Sequence, residues 1–382
     1  MQIEQKKIMF VVPALKGGGA EKVASTLLEL LATSDESLKV FLILLQKERV
    51  DIRQPNVEII YLDLQDTGNM VHAMFKFLRL IYHLAKIIRH VQPSTIISFM
   101  DYLNVVCVMS SFLSRARSRV VLTVHTLLVS YMQIYVDGYR EKMLRRLALL
   151  TYGKADAIIA VSKGVRDDLV KIFRIEPVRV HIVPNPVDIQ KIQALSLETV
   201  DETVFSGDPP VILSAGRLSK EKGFAYLIRS FSRLTKICHA RLVILGEGKE
   251  EENLRKLSKE LGISEDVIFL GYKDNPYKYM KRSTILVVPS LYEGFGMVIV
   301  EAMACGVPVI ATKSYDGIED IIEHEKSGLL VPVGDENSLE EAMSRLLANP
   351  EERQLLVSHA AKKLHDFSAE DIVKQYKAIL HV

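Results

Sequence analysis

Short apolar runs that alternate with longer helical stretches are the feature that most constrains the fold of this chain. The runs are rich in β-branched residues and do not alternate between apolar and polar positions. Such runs are typical of strands that are buried on both faces of a parallel sheet. They fall into two sets, at residues 8–12, 40–45, 58–62, 95–99, 120–124, 157–161 and 180–183, and at residues 211–213, 242–245, 267–270, 285–288, 307–310 and 328–331.

The two sets of strands predict an α/β protein with two doubly wound parallel sheets. A length of 382 residues is too great for one ordinary core and suits two domains. The polar stretch 188–210, which closes with the letters GDPP, is where we place the joint between them. In such sheets, ligands bind at the loops that follow the carboxyl ends of the strands.

The string EGFGMVIVE at residues 293–301 follows the predicted strand 285–288 and opens a helical stretch that ends at residue 304. Glu293 is therefore expected on the loop and Glu301 about one turn into the helix. Gly294 and Gly296 leave room for backbone amides to approach a ligand, and a helix N-terminus favours phosphate. Ionised carboxylates accept hydrogen bonds from hydroxyl groups. The string thus predicts a sugar-nucleotide site.

The string GRLSKEKG at residues 216–223 lies between the predicted strand 211–213 and a helix that starts near Phe224. Arg217 and Lys222 are five positions apart on this loop, so both cations can reach one diphosphate. The alternative is that they are two solvated surface cations. Their combination with the glutamate string favours the diphosphate.

These strings, together with KGGGAEK near the N-terminus, VPNPVD at 183–188 and LGEG at 245–248, resemble the retaining family 4 glycosyltransferases of GT-B fold. The resemblance covers nearly the whole chain. The GGAE core is most similar to bacterial members that build lipid-linked or surface glycans. The resemblance implies an acceptor-side Rossmann-like domain at 1–190, a donor domain at 205–365, and a helix at 366–382 that returns to the first domain.

The resemblance also implies roles for individual residues. Glu293 would hold the hydroxyls of the donor sugar, and Glu301 the ribose diol. Arg217 and Lys222 would neutralise the diphosphate, and His125 would lie near the anomeric carbon, so that His125, Glu293, Arg217 and Lys222 form the predicted catalytic set. The remaining predicted donor contacts are Gly18, Asn185, Gly216, Phe295, Gly296 and Met297.

The implied reaction moves a hexose or N-acetylhexosamine from a nucleoside-diphosphate sugar, with UDP favoured, to a lipid-linked or glycan acceptor in cell-surface polysaccharide synthesis. Because two cations can stabilise the departing diphosphate and no acidic pair stands in a phosphate loop, no cofactor or divalent metal is expected. Three alternatives stay open: a mannosyltransferase that uses GDP-mannose, a sugar-nucleotide epimerase of the same architecture, and a binding protein that has lost turnover.

His125 and the glycine triplet 17–19 have plain structural interpretations as well. A histidine that ends a buried strand is often a core residue with one satisfied nitrogen, but its place at the carboxyl end of strand 120–124 favours the ligand site. The triplet is not a dinucleotide-binding GxGxxG motif and can be a tight turn between strand and helix. Glu21 is expected to stabilise the helix terminus that follows.

The first half of the chain carries an excess of positive charge. Residues 1–200 hold 26 Lys and Arg against 19 Asp and Glu (+7), and the remainder holds 23 against 28 (−5). Lys76, Arg79 and Lys86, with His83 and His90, recur at helical spacing between residues 74 and 91. They predict either a solvated face or a contact with anionic lipid, and Arg115, Arg117, Arg119, Arg145 and Arg146 extend the basic surface.

Nothing in the composition suggests a membrane span, since no run of about 18 uncharged apolar residues occurs. Cys107, Cys238 and Cys305 are scattered, which is typical of reduced cysteines in a cytosolic protein. We therefore expect a cytoplasmic protein that is peripheral on the inner face of the cell membrane, with no nucleic-acid partner.

Overall fold

The computed structural model describes residues 6–15, 18–35, 37–47, 52, 54–62, 70–126, 139–205, 207–314 and 316–382. The chain divides into two compact units. The first comprises Met1–Pro186 with Ala369–Val382, and the second comprises Val187–Ser368.

The first unit is built on a seven-stranded parallel sheet with the order β3-β2-β1-β4-β5-β6-β7. Neighbouring strands pair in parallel, as in Ile8 with Val40 and Ile8 with Thr95. The residues of β4 are all buried, which explains their apolar, β-branched character. The strands are β1 (Lys7–Val12), β2 (Lys39–Leu44), β3 (Val57–Tyr61), β4 (Thr95–Phe99), β5 (Arg119–Val124), β6 (Ala157–Ala160) and β7 (Val180–Ile182).

Helices of the first unit connect these strands. They are α1 (Gly19–Ser34), α2 (Met70–Val91), α3 (Asp101–Ser114), α4 (Tyr139–Thr151) and α5 (Lys163–Lys171). Residues Phe77, Ile81, Leu84 and Ile88 of α2 are buried, as the apolar stripe of the sequence predicts.

The second unit has a six-stranded parallel sheet with the order β10-β9-β8-β11-β12-β13. Its strands are β8 (Val211–Ala215), β9 (Arg241–Leu245), β10 (Val267–Gly271), β11 (Ile285–Val288), β12 (Val309–Thr312) and β13 (Leu329–Val331). Its helices are α6 (Ile189–Ser196), α7 (Phe224–Leu234), α8 (Glu251–Glu260), α9 (Tyr277–Arg282), α10 (Met297–Ala304), α11 (Asp316–Glu319), α12 (Glu336–Ala348) and α13 (Pro350–Lys363).

A final helix, α14 (Ala369–Leu380), belongs to the first unit although it follows the second in the chain. It packs against α1. The hydroxyl of the buried Thr95 donates to Leu380 O at 3.0 Å, and Arg119 Nε donates to Ile379 O at 3.2 Å. The C-terminal helix therefore closes the amino end of the first sheet.

The prediction of two doubly wound parallel sheets is confirmed, and most predicted strands agree with the observed ones to within one or two residues. Two details differ. The strand expected at 307–310 is β12, which begins only after Pro308, because proline has no amide hydrogen for the ladder. The stretch 188–210, in which we placed the joint and expected no regular element, contains α6, whose first turn is capped by Asp188 through the Lys191 amide at 2.9 Å.

In the part of the chain that the structure describes, no helix is long and apolar enough to cross a bilayer.

Candidate active site

The loop between β8 and α7 is fixed by the loop between β9 and α8. The Gly216 amide donates to Leu245 O at 3.0 Å, the Leu218 amide to Glu247 O at 2.9 Å, and the Glu250 amide to Leu218 O at 3.0 Å. Gly246 has φ +129°, and a Cβ there would lie 1.9 Å from Gly216 O. The LGEG string is thus needed for close backbone contact, and this contact holds the loop that carries Arg217 and Lys222.

Lys222 and Glu293 meet at the carboxyl end of the second sheet. Lys222 Nζ lies 2.5 Å from Glu293 Oε1, and both side chains are mostly buried. The Ser290 hydroxyl donates to the same oxygen at 2.9 Å. The structure therefore brings together one residue from each of the two strings that the sequence singles out, 71 positions apart. Ser290 is a contact that the sequence analysis missed.

Glu301 lies in α10, one turn from its start, and is buried. The Tyr277 hydroxyl of α9 donates to Glu301 Oε1 at 3.4 Å. Phe295 is also buried and packs edge-on against Phe367, with ring centroids 5.8 Å apart. The aromatic contact fixes the turn that leads into α10, and Tyr277 is a second neighbour that the sequence did not indicate.

The other predicted donor contacts of the second unit surround the same two loops. Gly296 caps α10 with φ +89°, a left-handed conformation that favours glycine, and Met297 is the first residue of the helix. Gly216 and the exposed Arg217 directly follow β8. The carboxyl ends of these strands therefore carry a cation, a carboxylate and the amino end of a helix. Together these groups complement the anionic oxygens and the hydroxyls of a glycosyl diphosphate.

His125, Asn185 and Gly18 belong to the first unit. Gly18 is the N-cap of α1, with the extended backbone of φ −129°. His125 directly follows β5, and its ring stacks on Phe99 with centroids 5.8 Å apart. Asn185 follows β7 and is buried. All three lie at the carboxyl ends of strands or at the helix that follows one.

The hydrogen bonds of Thr123 fix the tautomer of His125. The Thr123 hydroxyl donates its one proton to Ser98 O at 2.8 Å, and His125 Nε2 lies 3.0 Å from the same hydroxyl oxygen. Nε2 must therefore carry the proton and donate it to Thr123. Burial lowers the pKa of His125 to about 4, against a smaller opposing effect of the Asn185 side chain. The ring is neutral at physiological pH, and Nδ1 is an acceptor.

Among the described residues, His125 Nδ1 and Asn185 Oδ1 are buried and make no hydrogen bond. The Asn185 side chain acts on the pKa of His125, so the two side chains form one polar group at the carboxyl ends of β5 and β7.

A partly buried carboxyl that contacts Thr126, the residue after His125, was not indicated by the sequence. Asp101, the first residue of α3, accepts from the Tyr152 hydroxyl and from the Thr126 hydroxyl, both at 3.0 Å. Burial raises the pKa of Asp101 to about 6. Because Thr126 follows His125 directly, this carboxyl ties the end of the β5 segment to α3.

Two family models match the chain. The model described as Glycosyltransferase Family 4 matches residues 17–191, and the one described as Glycosyl transferases group 1 matches residues 197–363. A Campylobacter jejuni protein is 31% identical over 97% of this chain and 98% of its own length. The chain is a family 4 glycosyltransferase. It is therefore an enzyme of the transferase class, and the epimerase and the binding protein are set aside.

That Campylobacter relative is named N-acetylgalactosamine-N,N'-diacetylbacillosaminyl-diphospho-undecaprenol 4-alpha-N-acetylgalactosaminyltransferase. A second protein of the same organism, also named as an N-acetyl-D-galactosaminyltransferase acting on a diphospho-undecaprenol-linked saccharide, is 24% identical over 98% of both chains. Both names describe transfer to a lipid-linked glycan.

Solved structures with the same fold support the GT-B architecture of this glycosyltransferase. The Anabaena protein Alr3699/HepE, solved in complex with UDP and glucose, has a TM-score of 0.79 at 19% identity, over 98% of this chain and 99% of that one. Sucrose-phosphate synthase from Thermosynechococcus elongatus has a TM-score of 0.82 at 21% identity, over 98% of both. At these identities the likeness shows the fold.

In the described ranges, no three His, Cys, Asp or Glu side chains gather into a group that could hold a metal ion. Whether this glycosyltransferase needs a divalent ion stays a prediction for experiment, as do the individual roles of the site residues.

Proposed function

We propose that this glycosyltransferase moves a hexose or N-acetylhexosamine from a UDP-sugar to a lipid-linked saccharide, with retention of the anomeric configuration. The observation that carries the proposal is the contact of 2.5 Å between Lys222 of the first loop and Glu293 of the second. A glycosyl diphosphate presents anionic oxygens next to sugar hydroxyls, and a cation beside a carboxylate complements both.

In the proposed mechanism, Arg217 and Lys222 stabilise the negative charge that builds on the departing diphosphate. The amides at the start of α10 would add to this stabilisation, because a helix N-terminus carries a partial positive charge. Glu293 accepts hydrogen bonds from donor-sugar hydroxyls, and Glu301 from the ribose diol. The electrostatic stabilisation comes from residues fixed before the reaction starts, which is the arrangement that lowers a barrier most effectively.

His125 in this proposal orients the sugar and is not a base. Its pKa of about 4 makes it neutral at physiological pH, and its protonated Nε2 is occupied by Thr123. Nδ1 can then accept a hydrogen bond from a sugar hydroxyl, and the nearby Asn185 Oδ1 offers a second acceptor. A neutral acceptor holds a hydroxyl group without adding charge near the anomeric carbon.

The lipid-linked acceptor is supported by the two Campylobacter relatives, whose names specify undecaprenyl diphosphate glycans. An acceptor of this kind is held in a membrane, so the enzyme would work as a peripheral protein on the cytoplasmic face. Lys76, Arg79 and Lys86 on α2 would meet the anionic lipid surface. GDP-mannose is the competing donor.

Two measurements test the function. First, thermal unfolding is followed with UDP-glucose, UDP-galactose, their N-acetylated forms and GDP-mannose, because a ligand of the native state raises the apparent stability. Protection by a UDP-sugar is expected, and protection by GDP-mannose alone would contradict the UDP assignment. Second, transfer to a polyprenyl-diphosphate-linked N-acetylhexosamine is followed with and without a chelator. We expect an α-linked product from an α-linked donor and no loss of activity in the chelator.

A further inference from the structure

Asn104 of α3 is fully buried, and its side-chain amide contacts the strand that leads to His125. The amide makes three hydrogen bonds inside the first unit. Its Nδ2 donates to Thr123 O at 2.9 Å and to the Tyr152 hydroxyl at 3.3 Å, and its Oδ1 accepts from the Ser98 hydroxyl at 2.6 Å. A buried amide that is bonded through both its nitrogen and its oxygen is held in one orientation.

The partners of this amide decide which way it points. A carbonyl oxygen can only accept, so the nitrogen of Asn104 must face Thr123 O and the oxygen must face Ser98. The Ser98 hydroxyl therefore donates to Asn104. The Tyr152 hydroxyl accepts from Asn104 and donates its own proton to Asp101 Oδ1 at 3.0 Å. Each proton of this polar group thus has one place.

Asn104 binds the two residues that hold the hydrogen-bond acceptor of His125. The Thr123 hydroxyl receives the Nε2 proton of His125 and donates its own proton to Ser98 O. Asn104 bridges the same two residues, because it accepts from the Ser98 side chain and donates to the Thr123 carbonyl. Since Ser98 belongs to β4 and Thr123 to β5, the amide fixes two neighbouring strands at the ends that lead to the histidine.

A second arm of the polar group reaches the residue after His125. Asp101 accepts from Tyr152 through one carboxylate oxygen, and from the Thr126 hydroxyl through the other, at 3.0 Å. Because Thr126 directly follows His125, hydrogen bonds that start at Asn104 reach the chain on both sides of the imidazole ring.

We propose that Asn104 is a positioning residue of this glycosyltransferase, which orients the His125 ring and keeps its proton on Nε2. It acts through Thr123 and contacts no substrate in the proposed mechanism. The equally buried Ser110 of the same helix shows the alternative, since its hydroxyl only joins two helices by donating to Ile81 O at 3.1 Å. The importance of the ring for turnover rests on the proposed function, whereas the place of its proton is a property of the protein alone.

The tautomer of His125 is determined in the full chain without substrate, by ¹⁵N NMR of protein labelled at the histidine rings. Protonated and unprotonated ring nitrogens have well separated resonances, and His125→Gln identifies the signals of this ring among those of ten histidines. We expect the proton on Nε2 in the unmodified protein and in Thr123→Ser, which keeps the hydroxyl. Thr123→Val and Asn104→Leu are expected to contain both tautomers.

Ser98→Ala and Ser110→Ala form a matched pair, because each removes one hydroxyl group from a serine that is fully buried. Ser98→Ala leaves the oxygen of Asn104 without its donor and is expected to contain both tautomers of His125. Ser110→Ala is expected to keep the proton on Nε2. This pair tests the role of Asn104 even if Asn104→Leu does not fold.

Turnover is measured on the same variants. Asn104→Leu and Thr123→Val are expected to lower kcat by about tenfold or more and to change KM for the proposed UDP-sugar donor by less than about twofold, because the ring is misplaced while the diphosphate contacts remain. Thr123→Ser is expected to keep most of the activity.

Asn104→Asp is expected to depend on pH in a way that a loss of packing would not produce. A protonated carboxyl can donate to Thr123 O and accept from Ser98, whereas an ionised one would place a second acceptor against the carbonyl. Its activity relative to the unmodified protein is therefore expected to fall as the pH rises, and that of Asn104→Leu to stay constant. The comparison at each pH removes the titration of Asp101.

Two results would overturn the inference. One is a proton on Nε2 alone in both Ser98→Ala and Asn104→Leu. The other is a mixture of tautomers in Ser110→Ala as large as in Ser98→Ala, which would show a general loosening of α3. If the tautomer changes in the variants of Asn104 and Ser98 while turnover stays full, the proposed role of His125 fails and the positioning of its ring by Asn104 is supported.

Discussion

Lys222 Nζ and Glu293 Oε1 are 2.5 Å apart at the carboxyl end of the second sheet, and the Ser290 hydroxyl donates to the same carboxylate oxygen. The ion pair joins two loops that follow neighbouring strands, β8 and β11. It has a structural effect that can be measured in the absence of any substrate.

A double-mutant cycle of Lys222→Gln and Glu293→Gln is expected to give a coupling energy of about 1–3 kcal/mol in the free energy of unfolding, because both groups are mostly buried. Urea unfolding of the four proteins measures it. The exposed pair Lys171–Asp167, at 2.6 Å, is the control and is expected to couple more weakly. Equal coupling energies in the two cycles would show that burial does not strengthen the inner pair.

Arg217→Gln is expected to lower kcat/KM for the proposed UDP-sugar donor by about tenfold or more, because the variant would lose the charge-assisted contact proposed to the leaving diphosphate. Lys220→Gln on the same loop is the control, since Lys220 is exposed and no role is assigned to it. Steady-state kinetics of both variants measure the change in kcat/KM. A similar decrease for Lys220→Gln would point to the general charge of the loop.

His125→Ala is expected to reduce turnover strongly while leaving the stability of the UDP complex nearly unchanged, because the contact proposed for the imidazole is with the sugar and not with the nucleotide. The neutral ring also predicts that the pH profile of kcat has no inflection from His125 above about pH 5. Full turnover in the alanine variant would refute the role. His125→Gln, which keeps a hydrogen-bond acceptor, is expected to recover part of the activity.

Asp101 is expected to make stability fall as the pH rises. Its pKa in the folded protein is about 6, above the ordinary value of 3.8, so its contribution is complete below about pH 4 and is lost as the pH rises through about 6. At about 1.36 kcal/mol for each pH unit between the two values, the loss is at most about 3 kcal/mol. The loss is measured by comparing the free energy of unfolding of Asp101→Asn with that of the unmodified protein across this pH range. A constant difference would contradict the prediction.

Glu202 supplies the control of opposite sign. Burial alone would raise the pKa of Glu202, but hydrogen bonds from Lys273 at 2.8 Å and Tyr279 at 2.7 Å lower it to about 2. Its contribution is present above the ordinary value of 4.5 and is lost as the pH falls toward about 2. Glu202→Gln is therefore expected to lower stability by a constant amount around pH 6 and by a smaller amount as the pH falls toward about 2.

Gly246→Ala is expected to destabilise the second unit by about 3 kcal/mol or more, because its Cβ would lie 1.9 Å from Gly216 O. Gly262→Ala is the control. Gly262 also has a positive φ, +71°, but no atom lies within 4 Å of the added Cβ, so it reports backbone strain alone. Urea unfolding compares the two. Equal losses of stability in the two variants would show that the two loops can move apart at Gly246 without a cost in free energy.

The fold could be predicted from the sequence because strands buried on both faces must be continuous apolar runs. The runs 95–99 and 285–288 coincide with β4 and β11. The helix α6 was missed because it is only eight residues long, and its stability comes from the Asp188 cap and from packing against α9. The start of β12 depended on Pro308, which apolar character does not reveal.

Much of the candidate site was also indicated by the sequence, since Glu293, Lys222, Gly296 and His125 stand at the strand ends where the strings place them. The hydrogen-bond partners of these residues were not indicated by the sequence. Ser290, Tyr277 and the hydroxyl chain around Thr123 depend on distances between segments that are far apart in sequence.

The return of α14 to the first unit has a consequence for the order of folding during synthesis. The ribosome makes the whole second unit before Leu380, whose carbonyl accepts the buried Thr95 hydroxyl, leaves the exit tunnel. The second unit can fold as soon as it emerges, whereas the amino ends of β4 and β5 in the first unit stay uncovered until translation has passed residue 380. The segment made first is thus the last to be completed.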